Sequence, residues 1–258
     1  MPLSELLVGV GVGLVGGVTS GLLGVSPGGG LAIFSILLLG FEQHVAQGVS
    51  LFAQIAPTSI SGIKRYRQGG SRTPMHWLAL LAAGFIVGGV AGALAAGGAS
   101  SGVLRWTYVV YLAALDGLLI FRRRRQEDSS DRATPHMGWG ALLGIGAIAG
   151  FSSGFLGIGG GLAITVGLSA GFGVGQRQAQ LASLVLSMIP TTIPAAWVYW
   201  REGWSASWPV IGGVVLGLWV GTDLGARMAN KVSETALHRA LVGFVTAIAL
   251  YMAYKALA

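Results

Sequence analysis

The chain has 258 residues, of which 53% are hydrophobic and only 10% charged. About a quarter of a soluble globular protein is charged, so this chain lacks the polar surface to face water and belongs in a bilayer. Its net charge of +7 suits the cytoplasmic loops of a membrane protein; the basic residues are not interleaved with base-stacking aromatics, which argues against a nucleic-acid partner, and the absence of cysteine excludes disulfides and thiolate metal sites.

The start, Met1-Pro-Leu-Ser-Glu5, has no basic segment, so the first apolar run, over 6–24, is read as a retained helix and not a cleaved signal. Four more apolar helices are predicted over 29–40, 45–63, 77–96 and 103–121. The stretch 122–135 opens with four consecutive arginines and carries acidic residues, serines and a proline, the composition of a solvated connection. Five further helices follow over 137–157, 160–172, 180–199, 208–227 and 236–256. The expected fold is an all-α polytopic membrane protein: a first transmembrane repeat over 1–125, a cytoplasmic linker over 126–136 and a second repeat over 137–258.

The two halves restate each other. The segments GVTSGL and GVSPGGGLAI, starting at Gly17 and Gly24, are answered by GFSSGF and GIGGGLAI, starting at Gly150 and Gly157. Gln47, Ser50, Pro57, Thr58, Tyr66 and Gly70 find Gln180, Ser183, Pro190, Thr191, Tyr199 and Gly203 at one constant offset. Each half thus carries a glycine-interrupted apolar segment at the same place, the pattern of transporters whose site lies between repeats.

Loop charge predicts that the repeats are inverted. Lys64, Arg65, Arg67 and Arg72 follow the third helix, and the linker holds the arginine run, so both are expected on the cytoplasmic side. The loops around Glu42 and over 97–101 carry no Lys or Arg, whereas their second-half partners carry Arg177 and then Arg227 with Lys231. Equivalent loops therefore prefer opposite faces, which requires an odd number of crossings per repeat and puts both termini outside.

The segments 29–40 and 160–172 hold about 12 or 13 residues, roughly 20 Å of helix, too short to cross alone. They are expected to be broken or re-entrant helices, with the glycine tracts lying at depth against protein or a wet cavity. The tracts Gly28, Gly29, Gly30 and Gly159, Gly160, Gly161 then bring helix N-termini, with free N–H groups, to where an anion could sit. The competing explanation is close helix packing, a strong one in a chain with 44 glycines.

On the following helices Gln47, Ser50, Gln54 and Thr58, and in the second half Gln180, Ser183, Ser187, Thr191 and Thr192, fall three or four residues apart on one face. Pro57 and Pro190 should bend these helices. Such neutral donors suit an anion, or equally serve as interhelical hydrogen bonds. Ser20, Ser26 and Ser153 beside the glycine tracts invite the same two readings. Asp116 and Asp223 are the candidate ionisable residues at depth; a local ion pair, as Asp223 would form with Arg227, competes with a coupling role. His44, His76, His136 and His238 lack metal-ligand spacing, and no metal or other cofactor is expected. Trp77, Trp106, Trp139, Trp200, Trp204 and Trp208 fall at helix boundaries, as interfacial aromatics do.

The duplicated Gly-x-x-Ser-Gly-x-x-Gly-x-Gly-Gly-Gly pattern and the polar helix with Ser50 and Pro57 resemble the sulfite exporter TauE/SafE family of membrane transporters, over nearly the whole chain. The resemblance implies movement of a sulfur-containing oxyanion, such as sulfite or an organosulfonate like sulfoacetate, commonly outward across a bacterial inner membrane. One departure is expected to make the site asymmetric: the first copy reads as inserting Ser26-Pro27 before its glycines.

The function expected is secondary transport of a small anionic solute by alternating access. An anion channel of the same fold and a non-transporting membrane subunit remain alternatives, and a homo-oligomer is compatible with the chain. With no buried acid/base or metal constellation, an enzyme is not expected.

Overall fold

The computed structural model describes residues 2–68, 70, 72–126, 137–188, 191–229 and 231–257. Residues 127–136, which include most of the expected linker and His136, and Pro190 lie outside that set. The described chain is all helical, in the order α1 (Pro2–Leu23), α2 (Gly28–Leu39), α3 (Gln43–Ala53), α4 (Ile60–Gln68), α5 (Met75–Gly97), α6 (Ser101–Gln126), α7 (Trp139–Leu156), α8 (Gly161–Val166), α9 (Gln176–Met188), α10 (Ile193–Arg201), α11 (Trp208–Ala229) and α12 (Glu234–Leu257). A π-helical turn, Gly167–Gly171, extends α8.

Three elements differ from expectation. The helix predicted over 45–63 is two helices, because Pro57 cannot donate to a helical ladder and the chain unwinds between Ala53 and Ile60. Its second-half partner breaks likewise into α9 and α10, which meet at 52°. The helix predicted to end at 121 runs on through the arginines to Gln126, since arginine is a good helix former. Among the described residues five helices are long and apolar enough to cross a membrane, six if α9 and α10 form one broken span. Large apolar side chains such as Val87, Ile148, Trp219 and Leu250 point outward, as lipid-facing residues do.

The halves interlock. Helix α1 packs along α11, α5 along α7, and α6 against its own counterpart α12. Exchanging the halves preserves the arrangement of the shorter elements too: α4 lies on α9 as α10 lies on α3.

The long pairs touch backbone to backbone. Gly9, Gly13, Gly17 and Gly21 recur every fourth residue on α1 and face Gly213, Gly217, Gly221 and Gly225 on α11. A Cβ at Gly13 would collide with the Val214 carbonyl, and one at Gly217 with the Val10 carbonyl. Gly84, Gly88 and Gly92 on α5 meet Gly146, Gly150 and Gly154 on α7 in the same way. Along both seams the contacts rise together in residue number, so the paired helices run parallel. Lipid tails are as apolar as leucine, so helices in a bilayer gain little by hiding apolar side chains; close van der Waals packing between small residues draws them together instead.

Gly217→Ile should therefore cost about 1–3 kcal/mol by overpacking and lower the melting temperature of the detergent-solubilised protein. Gly212→Ile, on the same helix but with no atom within 4 Å of an added Cβ, should leave it unchanged. Equal melting of the two variants would mean that the stripe does not set the packing.

Candidate functional site

Helices α1 and α7 each end inside the bundle, and the chain reverses at a glycine in the left-handed region: Gly24 at φ 60° and Gly157 at φ 67°. The positive-φ glycines Gly24, Gly40 and Gly70 recur as Gly157, Gly173 and Gly203, each 133 residues on. Helices α2 and α8 start at Gly28 and Gly161, the same distance apart. The Ser26-Pro27 insertion expected from the sequence is therefore absent. Ser26 stands where the second half has Gly159, and Pro27 where it has Gly160; the glycine triplets, not the helices, are shifted by two residues. The loops differ at one backbone position, since Gly159 lies at φ 63° and Ser26 has no positive φ.

The C-terminal carbonyls of a helix ending at depth need donors. Gln180 of α9, fully buried, supplies one from the opposite half, donating from Nε2 to the Leu23 carbonyl at 2.7 Å. Tyr199 of α10 donates to Gln47 Oε1 at 2.9 Å and approaches the Gly154 carbonyl at 3.1 Å. Gln47 lies against Gly157, as Gln180 and Tyr66 lie against Gly24, where a Cβ would meet them. Gln180 thus holds the broken end of a span in the other half, whereas Gln47 packs against its opposite end and accepts from Tyr199, its own amide nitrogen making no hydrogen bond. Ser20 secures the first loop from within, donating to the Val25 carbonyl at 2.6 Å. Its counterpart Ser153 is buried and its hydroxyl makes no hydrogen bond.

Between the two loops lies a cavity of about 10 Å³, room for one water-sized molecule. Its polar wall is formed by Ser26, Gln54, Ser183, Ser187, Thr191 and Thr192, with Gly160 and Gly161 from the second loop. Phe85, Ile164 and Leu186 complete it, and none of the lining residues is charged. Ser26 Oγ donates to Gln54 Oε1 at 3.3 Å, while Gln54 Nε2 reaches the Ser50 carbonyl at 2.9 Å and Ser50 Oγ at 3.2 Å. Ser187 meets Ser59 at 2.8 Å, joining the two broken spans. The buried hydroxyls of Ser183 and Thr192 make no hydrogen bond. The approach is close: a Cβ at Gly28 would strike Gln54 and the Ile158 carbonyl, one at Gly159 would strike Gln54 and Ser26, and one at Gly161 the main-chain nitrogen of Ser26.

The structure therefore brings Ser26, Gln54, Ser183, Ser187, Thr191, Gly160 and Gly161 to one void, with Ser50, Gly28 and Gly159 immediately behind. Gln47 and Gln180 sit at the seams outside it, and Gly30 faces Phe34 and Phe244. Gly29 belongs to the first turn of α2, and Thr58 is buried in the break before α4. Asp116 accepts from Thr246 Oγ1 at 2.7 Å across the α6–α12 contact. Asp223 accepts from Arg227 at 2.5 Å and from Arg65 of α4 at 3.4 Å. Neither carboxylate lines the void. Thr192, expected on the same polar face, also reaches the void, whereas the tyrosines were not among the candidates. Tyr66 and Tyr199 are legible as part of the repeat, but nothing local marks them as partners of a glutamine in the opposite half.

The void is thus bordered by neutral hydroxyl and amide groups, with the start of α8 at its edge. Among the described residues no cluster of His, Asp and Glu could hold a metal ion. The model of the sulfite exporter TauE/SafE family matches residues 9–252 of the chain. No curated protein and no solved structure matches it. Family membership implies transport of sulfite or a related sulfur anion across a membrane, not catalysis, and fits an integral multi-pass protein. A match that runs through both halves, both glycine turns and both broken spans leaves one assignment: this chain belongs to the sulfite exporter TauE/SafE family.

Proposed function

We propose that the protein is a secondary transporter that exports a small sulfur-containing oxyanion, sulfite or an organosulfonate of the sulfoacetate type, by alternating access across a bacterial inner membrane. The observation that carries this is the meeting of two broken-span junctions, one from each half, at a single uncharged polar void. Ser26, Gln54, Ser183, Ser187 and Thr191, with main-chain N–H groups at the starts of α2 and α8, supply donors for the oxyanion. Gln47, Gln180 and Ser20 position the loops that carry them, and the Ser153 hydroxyl, which makes no hydrogen bond within the chain, is a further donor beside them. Uncharged donors bind an anion without burying an unpaired cation.

The void is smaller than any oxyanion of sulfur, so we assign it to a contracted state from which the spans must part. The backbone-packed pairs α1–α11 and α5–α7 are the stiff bodies of that motion, and the short central helices are what shifts. Inversion of the repeats is supported by direction. If α2 and the α3–α4 pair each cross once, α5 runs opposite to α1; α7 runs with α5, and hence against α1. Sidedness is supported by charge: Arg65 reaches Asp223, which also holds Arg227, and Arg177 lies close to Tyr66, so basic residues from inequivalent loops gather at one end, which we take as cytoplasmic. For a monovalent anion leaving a cell, the membrane potential contributes about 2.3 kcal/mol per 100 mV, which makes a coupling ion unnecessary.

In liposomes containing only this chain and loaded with labelled sulfite or sulfoacetate, saturable efflux should follow the sign of an imposed potassium-diffusion potential. Efflux that ignores potential and follows an imposed proton gradient would replace the uncoupled mechanism with one through Asp116 or Asp223, and no flux at all would leave a non-transporting subunit. Gln54→Leu should raise the half-saturating concentration about tenfold, the worth of one buried hydrogen bond, with the smaller loss of stability, since the Ser50 carbonyl keeps its main-chain donor from residue 54. Gln180→Leu should instead destabilise the fold by about 1–3 kcal/mol, because the buried Leu23 carbonyl loses its donor. A reversed pattern, with affinity lost in the second variant and stability in the first, would exchange the two roles.

A further inference from the structure

Helix α4 carries apolar and basic residues on one stripe. Ile60, Ile63, Lys64 and Arg67 recur at the spacing of a single helix face; Ile63, like Gly62 and Tyr66, is buried against the bundle, while Ile60, Lys64 and Arg67 are exposed. That stripe, with Val185 and Met188 of α9, encloses an open groove of about 500 Å³ whose rim includes Gln68. The groove is graded along its length. Ile60 and Met188 lie at the end beside the span breaks, and Lys64 and Arg67 at the outer end of α4. From Ile60 to Arg67 the helix rises about 10 Å. Both basic side chains are exposed and take part in neither of the ion pairs formed by their neighbours: Arg65 and Arg227 are bound to Asp223.

The same position in the other half is built differently. Trp197 stands in the place of Lys64, Trp200 in that of Arg67 and Phe52 in that of Val185. There Trp200 packs edge-on to Phe52, with ring centres 5.6 Å apart, and lies 5.2 Å from Trp208. One copy of the motif thus offers indoles to its membrane boundary, and the other an apolar slot ending in two cations that form no ion pair among the described residues.

We propose that the α4–α9 groove binds an anionic phospholipid. Its phosphate sits between Lys64 and Arg67, and an acyl chain lies against Ile60, Ile63, Val185 and Met188. The ordering of apolar floor and basic rim along α4 matches a lipid standing in its leaflet, with the headgroup outward and the chain toward the midplane. A free anion would gain nothing from the apolar floor. Because α4 and α9 come from opposite halves, the bound lipid fastens one to the other next to both span breaks. This assignment does not depend on which solute the protein carries.

The test is native mass spectrometry of the detergent-solubilised full chain titrated with phosphatidylglycerol or phosphatidylcholine of identical acyl chains. Phosphatidylglycerol should be retained about 30-fold more tightly, the combined effect of two basic residues near anionic headgroups. The double variant Lys64→Gln/Arg67→Gln should reduce it to the phosphatidylcholine level, whereas Lys64→Arg/Arg67→Lys should keep the preference. Should the glutamine variant fail to fold, a salt titration of the native chain serves, because exposed charges are screened over about 10 Å at 0.1 M ionic strength and the preference must then shrink as salt rises. The proposal fails if the native chain shows no headgroup preference, if the preference survives loss of both charges or is insensitive to salt, or if free sulfite or inorganic phosphate displaces the lipid, which would mark the groove as a vestibule for small anions.

Discussion

Backbone contact between helices with no side chain at the seam is the constraint on which the rest of this molecule depends. In lipid, burying a leucine against another helix changes little, whereas dispersion between closely apposed backbones is lost as soon as a side chain intervenes. The glycine stripes of α1 with α11 and of α5 with α7 exploit that difference. They also stitch the halves together, since each seam joins the first span of one repeat to the fourth of the other. Neither repeat is a domain with a core of its own.

The price of breaking helices inside a bilayer is a set of main-chain groups with no water to satisfy them. The fold meets it with long neutral side chains reaching across the molecule. Gln180 donates to the Leu23 carbonyl, and the Tyr199–Gln47 pair braces the α7 end. The broken ends then stay in place without a charged residue, and the space between them remains uncharged. Ser26 facing Gln54, and Gly159 in the corresponding place of the other half, make that space asymmetric although the helices around it obey the repeat. The ionisable groups are kept at the margins: Asp223 among arginines at the basic end, and Asp116 in the α6–α12 contact.

That the chain is helical, crosses a membrane several times and is duplicated was determined by the sequence alone. Hydropathy and the recurrence of Gly, Gln, Ser and Pro at fixed spacing are properties of short stretches, and a bilayer reads those directly. The break after Ala53 was expected as a bend, because Pro57 announces its effect locally. The glycine stripes were legible too, as a four-residue recurrence from Gly9 to Gly21, but their partners were not. What only the tertiary structure decided is which groups meet. Gln180 and Leu23 are 157 residues apart, and no local signal distinguishes a glutamine that braces a helix end from one, like Gln54, that lines a void. The equivalent starts of α2 and α8, by contrast, were within reach of the spacing: Gly24 and Gln47 lie the same 133 residues from Gly157 and Gln180, which leaves no room for an insertion between them, and only the shifted glycine triplets suggested one.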